Sequence, residues 1–188
     1  RAGNAPSGRG NAVSNQSRAD RFDRGDFRAR DAARRNQSDL IWPIDGLQLL
    51  RLGQSVMTNR DGTGRPHMGI DIFAETGTLV LAARDGEVLR VIDGRSAPKE
   101  ALRRAGLFID VQGPDGRVYR YLHLGTAAAR AGDALTQGAV IGTVARAFTS
   151  GLRESPHLHF EIRASDRDGR HGYGAAVNPL SLLPKRSV

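Results

Sequence analysis

From Gly69 to Arg163 apolar and polar residues alternate in short runs, separated by glycine, proline and aspartate. A period of two marks strands buried on one face. The runs are Gly69–Phe73 (GIDIF), Thr78–Ala83 (TLVLAA), Gly86–Asp93 (GEVLRVID), Leu107–Gly113 (LFIDVQG), Arg117–Leu124 (RVYRYLHL), Ala139–Ala145 (AVIGTVA) and His157–Arg163 (HLHFEIR). Pro114, Asp115 and Gly116 separate the fourth and fifth runs and predict a hairpin turn there. One segment has helical character. Ser96 is placed to cap APKEALRRAG, with Pro98 in the first turn, Arg103 and Arg104 late, and Gly106 as the stop. A second short helix is expected at Thr126–Ala131. The pattern predicts a mainly β domain, an antiparallel sheet with an open groove and a short helical insertion, from about Leu40 to Pro184. The leucines of VNPLSLLP (177–184) are expected to pack on its edge.

Residues 1–38 break this pattern. They hold nine arginines against four aspartates, so most of the chain's net charge of +8 lies here. Arg and Asp alternate from Arg18 to Arg35, and a short helix around Asp26–Arg35 would need support from elsewhere to persist. The segment is expected to be a basic, disordered or extended N-terminal tail or linker (1–38), followed by the domain proper (39–188). Little aromatic residue is interleaved with its arginines, so no nucleic-acid partner is expected.

With no cysteine the chain has neither a disulfide frame nor a thiolate metal site. No apolar run is long enough for a transmembrane segment. Beginning at Arg1 rather than methionine, the sequence reads as a mature or recombinant form in which a signal peptide would not be visible. Oligomeric state is not legible in it.

Four of the five histidines fall in three motifs: H-x-x-x-D at His67 and Asp71, H-x-H at His157 and His159, and His123 in YLHL. Two neutral imidazoles and one carboxylate make a tetrahedral zinc site with a free fourth position. Alternation places His157, His159 and Glu161 on one face of their strand, with Leu158, Phe160 and Ile162 on the other. The same counting groups His67 with Asp71 against Met68, Ile70 and Ile72, and puts Tyr119, Tyr121 and His123 together. Neighbouring strands would then join these polar faces into the floor of one groove.

The motifs HMGID (67–71), YLHL (121–124) and SPHLHFEIR (155–163), in this order, resemble the M23 metallopeptidases, the lysostaphin and LytM-type peptidoglycan endopeptidases. WPIDG (42–46), AARDGEV (82–88) and NPLSLL (178–183) support the resemblance. It implies a zinc endopeptidase that cleaves peptide crosslinks or stem peptides of peptidoglycan, acting in the periplasm, at the cell surface or in secreted fluid of a bacterium. It implies His67, Asp71 and His159 as zinc ligands and His123 and His157 as the catalytic histidines. His157 is favoured as the base and His123 as the stabiliser of developing charge, with the reverse left open. Glu161 is either a partner that orients an imidazole or an exposed strand carboxylate. Tyr121 either lines the groove or packs. His171 is a loop histidine at the groove's rim, and Asn59 and Arg60 are candidates for substrate contact.

Two departures from the family pattern stand out. SVMTNRDG (55–62) replaces a phenylalanine-glycine pair before the first ligand, and SAPKEALRRAG (96–106) replaces a short connection. The insertion is a wall, a lid or a partner surface. The alternative function is a non-catalytic peptidoglycan-binding or amidase-activating module. Relatives in which an upstream segment covers the groove suggest a further role for the tail, with Asn15 or Asn36 filling the fourth zinc position.

Overall fold

A computed structural model describes residues 40–46, 51–52, 59–60, 65–146, 155–164 and 176–185. The strands are β1 (Arg51–Leu52), β2 (Asn59–Arg60), β3 (Arg65–Pro66), β4 (Ile70–Phe73), β5 (Leu79–Leu81), β6 (Gly86–Asp93), β7 (Leu107–Gln112), β8 (Val118–Ala127), β9 (Ala134–Leu135), β10 (Val140–Val144), β11 (His157–Arg163) and β12 (Ala176–Val177). A helix, α1 (Glu100–Ala105), joins β6 to β7, and a 3-10 turn spans Pro179–Ser181. The tail, its suggested helix and the latency device lie outside the described residues, as does His171.

The main sheet runs β1-β4-β11-β8-β7-β6-β9, with every pairing antiparallel. β12 joins β11 beside β4, β10 pairs with β8 and β5, and β2 and β3 form a separate ribbon. The expected antiparallel sheet is therefore present. The predicted hairpin is β7–β8: Gln112 opposes Val118, and Gly116, at φ +77°, completes the turn by donating its N–H to Gly113 O. Glycine takes this left-handed conformation without the strain a Cβ would bring.

One face of the sheet carries the core. Ile70, Ile72, Ile109, Val111, Tyr119, Tyr121, Leu158, Phe160 and Ile162 pack there with Val80 and Ile141. The WPIDG segment covers one margin. Ile41 N–H donates to Ala83 O, Leu81 N–H donates to Pro43 O, and Trp42 Nε1 donates to Pro184 O, tying the segment to the stretch after the 3-10 turn. Of the three C-terminal leucines, Leu182 and Leu183 pack on the core while Leu180 is exposed.

Two helix expectations need correction. α1 starts at Glu100, and Lys99 occupies its N-cap with extended backbone and no side-chain cap, so Ser96 does not cap it. Pro98 disfavours helix at the residue before it, and Arg103 Nη1 binds the Ala97 and Pro98 carbonyls instead. Gly106 does stop the helix. At Thr126–Ala131 there is no helix: Thr126 and Ala127 continue β8 opposite Thr143 and Gly142, and the chain then turns. Pairing with β10, which the local sequence does not announce, overrides the alanine-rich composition.

Candidate metal centre

β4 and β11 are in a register that sets Asp71 opposite His159. Directly opposed residues hold their Cβ atoms about 4.5–5.5 Å apart, so a carboxylate and an imidazole meet across the ladder. His67 reaches the same point from the segment before β4, across a bend at Gly69. That glycine is required by contact: a Cβ there would stand 2.2 Å from the Phe160 carbonyl oxygen. Its absence lets the H-x-x-x-D segment lie against β11.

Three donor atoms close a small triangle. His67 Nε2 is 3.1 Å from Asp71 Oδ1 and 3.0 Å from His159 Nδ1, and His159 Nδ1 is 2.7 Å from Asp71 Oδ1. All three side chains are buried. His159 Nε2 lies 2.9 Å from Glu161 Oε1; donating its proton there leaves Nδ1 with a bare lone pair. Lone pairs gathered this closely repel unless a proton or a cation sits among them. Two imidazoles and a carboxylate suit zinc, whose bonds of about 2.0–2.1 Å in tetrahedral geometry set ligand atoms roughly 3.3 Å apart. The two sides from His67, 3.1 and 3.0 Å, fall close to that, and the 2.7 Å side between His159 and Asp71 is shorter and would open as a cation enters; the donor set and its spacing fit the metal.

The electrostatics agree. Burial pushes the Asp71 carboxyl up, but hydrogen bonds and charge from His159 and His67 outweigh it and hold the group well below the usual carboxylate range. Burial pushes His159 down, and Asp71 and Glu161 together raise it. Glu161 is opposed by its own burial yet held down at about 2 by the hydrogen bond to His159 and the charges of His159, Arg163 and Arg120.

His157 and His123 flank the triangle. His157 Nδ1 lies 2.8 Å from Ser155 O. A carbonyl only accepts, so Nδ1 carries a proton, and in the neutral ring the acceptor position is Nε2. Nε2 is buried, makes no hydrogen bond, and stands 3.7 Å from Asp71 Oδ1. The His123 ring is centred 4.9 Å from that of His157 and 5.8 Å from that of His159.

His123 arrives by a route that alternation did not foresee. On β8 Tyr119, Tyr121 and Leu124 face the core, whereas Arg120, Leu122 and His123 line the cleft. The step from Ile109 to Leu107 on β7 spans two residues, but the matching step from Tyr121 to Leu124 on β8 spans three. The extra residue is a β-bulge at His123, whose φ is +65°. There β8 also exchanges one neighbour for another: Leu122 opposes His159 of β11, while Leu124 opposes Val144 of β10. The expected grouping of Tyr119 and Tyr121 with His123 is thus wrong, and Tyr121 packs, its hydroxyl accepting from Ala83 N–H at 2.9 Å. Met68 likewise lines the cleft instead of sharing the core with Ile70 and Ile72.

Behind the site lies a buried ionic chain. Arg163 Nε donates to Glu161 Oε2 at 2.8 Å, and Arg120 Nη1 stands 3.5 Å from the same oxygen. Arg120 Nε donates to Asp110 Oδ1 at 2.8 Å, and Arg90 Nε to Asp110 Oδ2 at 2.6 Å. Glu161 is therefore a buried partner of His159 and not an exposed carboxylate. Arg163 was foreseeable, two residues beyond Glu161 on the same face. Arg120 was hidden by the bulge, and Asp110 by lying in an apolar run. The side chains of Asn59 and Arg60 are outside the described residues.

The sequence profile of Peptidase family M23 matches residues 65–179. The chain belongs to peptidase family M23. Over 144 residues it is 34% identical to the cell division protein DipM of Caulobacter vibrioides, covering 77% of this chain and 21% of DipM. Over 123 residues it is 31% identical to the peptidoglycan DD-endopeptidase ShyA of Vibrio cholerae, covering 65% of this chain and 26% of ShyA. The chain spans about a quarter or less of the length of the curated relatives it matches. Its fold is that of the catalytic domain of lysostaphin from Staphylococcus simulans, with a TM-score of 0.57 over 70% of this chain and 90% of that one at 24% identity. The M23 profile takes in the whole triangle and both flanking histidines. No helix among the described residues is long and apolar enough to cross a membrane.

Proposed function

We propose that residues 39–188 form a zinc-dependent endopeptidase that hydrolyses peptide crosslinks or stem peptides of bacterial peptidoglycan outside the cytoplasm. The observation that carries this reading is the triangle of His67 Nε2, Asp71 Oδ1 and His159 Nδ1 with His157 Nε2 turned toward it. His67, Asp71 and His159 hold the metal through three protein ligands, the number that leaves a catalytic site open. Zinc bound there would polarise the scissile carbonyl and make a water nucleophilic near neutral pH.

The chain's own residues do the rest. His157, fixed as the Nδ1–H tautomer by Ser155 O, takes the proton from the attacking water at Nε2 and returns one to the leaving amine. His123, whose ring packs edge-on against that of His157, hydrogen-bonds the charge that develops on the carbonyl oxygen. Glu161 holds the His159 ring and makes it the better ligand. The groove's buried floor keeps these groups in place before substrate arrives, so little reorganisation is left for the reaction itself.

Mass analysis of products from purified peptidoglycan of known crosslink type tests the reading. Zinc-loaded protein should release cut peptides, and a chelator should stop it. His159→Ala should lose both zinc and turnover. His157→Ala should keep one zinc per chain, measured by atomic emission, and lose turnover by roughly 10²–10⁴-fold. Zinc-loaded protein inert on every crosslink type would favour the non-catalytic module.

A further inference from the structure

The insertion between β6 and β7 is built as a rigid unit. Gly94 N–H donates to Gly106 O at 2.8 Å and closes its neck. A Cβ on Gly94 would stand 2.1 Å from the Leu102 carbonyl oxygen, so α1 lies directly on that neck. Arg103 ties the lead-in to the helix through the Ala97 and Pro98 carbonyls. Yet no residue of α1 is buried. A helix retained for stability buries an apolar stripe. Here Ala101, Leu102 and Ala105 face a cleft of about 440 Å³ that they share with His67, His123 and His159. The insertion is one wall of the groove that leads to the metal centre.

The cleft is also charged. Three guanidiniums line it, Arg104, Arg120 and Arg163, against one carboxylate, Glu161. Arg120 and Arg163 are buried and engaged with Asp110 and Glu161. Arg104 is exposed, and its partner is Glu100, one turn back on the same helix. Exposed pairs of this kind contribute little and are readily exchanged. A guanidinium at the mouth of a low-dielectric groove gains more from a carboxylate that arrives with the substrate, because it can grip it with two parallel hydrogen bonds.

We propose that α1 is a specificity wall and that Arg104 binds a free carboxylate on the substrate peptide, beside the scissile bond. This rests on the zinc-peptidase reading and names the substrate class within it. Ala101 and Ala105 leave room for the peptide backbone, and Arg104 selects the acid form of the neighbouring residue over its amide.

Two matched peptidoglycan peptides test this, one with a free side-chain carboxylate next to the cleaved bond and one with that group amidated. The full zinc-loaded chain should prefer the acid, and the preference should shrink as salt rises. Arg104→Ala should lower the ratio of kcat/KM for acid over amide about tenfold, and Arg104→Lys should restore part of it, keeping charge but not the fork. Arg95→Ala, on the same insertion but paired with Asp93, should leave that ratio unaltered. Equal losses on both peptides, or none, in Arg104→Ala would overturn the proposal. Absence of metal-dependent turnover on either peptide would instead sink the peptidase reading. The same two peptides, fluorescently labelled, would then decide by anisotropy whether Arg104→Ala removes a binding preference for the acid, and no preference in the unaltered chain would end the proposal.

Discussion

β11 and β8 are hydrogen-bonded neighbours, both carry histidines of the site, and they present them by opposite means. β11 is regular: His157, His159, Glu161 and Arg163 take the cleft face while Leu158, Phe160 and Ile162 fill the core. β8 obeys the same rule as far as Leu122 and then breaks it at His123. On β11 the polar face and the core are two aspects of one period. On β8 the histidine is delivered by suspending the period, at the place where the strand changes partner. A regular strand supplies groups every second residue along a line, and a bulge swings one further group inward from the side.

The comparison breaks most heavily at Phe160. If regularity on β11 serves the core as much as the site, Phe160→Ala should cost about 3–5 kcal/mol of unfolding free energy. Phe160 is fully buried against Tyr121 and Tyr119, with ring centroids 5.2 and 6.5 Å away. Urea denaturation followed by circular dichroism measures the loss. A cost below about 1 kcal/mol would mean that this face is not the core.

The next effect tests the cleft face of the same strand. Glu161 sits between His159 and two arginines. Glu161→Gln keeps the shape but removes the charge, leaving Arg120 and Arg163 facing a neutral amide. Zinc affinity, read by competition with a chromogenic chelator, should fall by about 10–100-fold, the range typical of partners behind metal ligands. Unaltered affinity would reduce Glu161 to a purely structural carboxylate.

These residues also mark what a single sequence discloses. β6 was read to its ends because Asp85 and Gly94 bound it, in spite of a bulge between Val88 and Arg90, and β11 because it alternates cleanly from Pro156 onward. Spacing set His67 beside Asp71 and His157 beside His159 and Glu161, while the choice of His67, Asp71 and His159 as the ligand set came from the resemblance to the M23 metallopeptidases. His123 was legible as a residue of interest but not as to how it arrives, since a bulge depends on which strands lie to either side. Asp110 shows the same limit. In LFIDVQ it reads as one polar residue in an apolar strand, and only the arrival of Arg90 and Arg120 from β6 and β8 satisfies its charge. The Thr126–Ala131 helix failed for the complementary reason: Thr126 and Ala127 were claimed by pairing with β10.

The smallest effect isolates the bulge itself. His123 holds φ at +65°, a region that costs a residue with a Cβ roughly 1–2 kcal/mol. Replacing the histidine by alanine and by glycine removes the ring equally in both variants, so their difference in stability reports the backbone alone. His123→Gly should be more stable than His123→Ala by about 1 kcal/mol, since glycine accepts the left-handed region freely. At Arg163, in the regular part of β11, the same pair of substitutions should reverse in order, with glycine the less stable by about 0.5–1 kcal/mol, because there it brings only extra unfolded-state entropy. Hydrolysis should be depressed in both His123 variants whatever their stability, since each lacks the imidazole proposed to meet the developing charge. Glycine less stable than alanine at both sites would mean that β8 is as regular as β11 in solution. His123 would then turn toward Tyr119 and Tyr121, and the site would have to work with one flanking histidine in place of two.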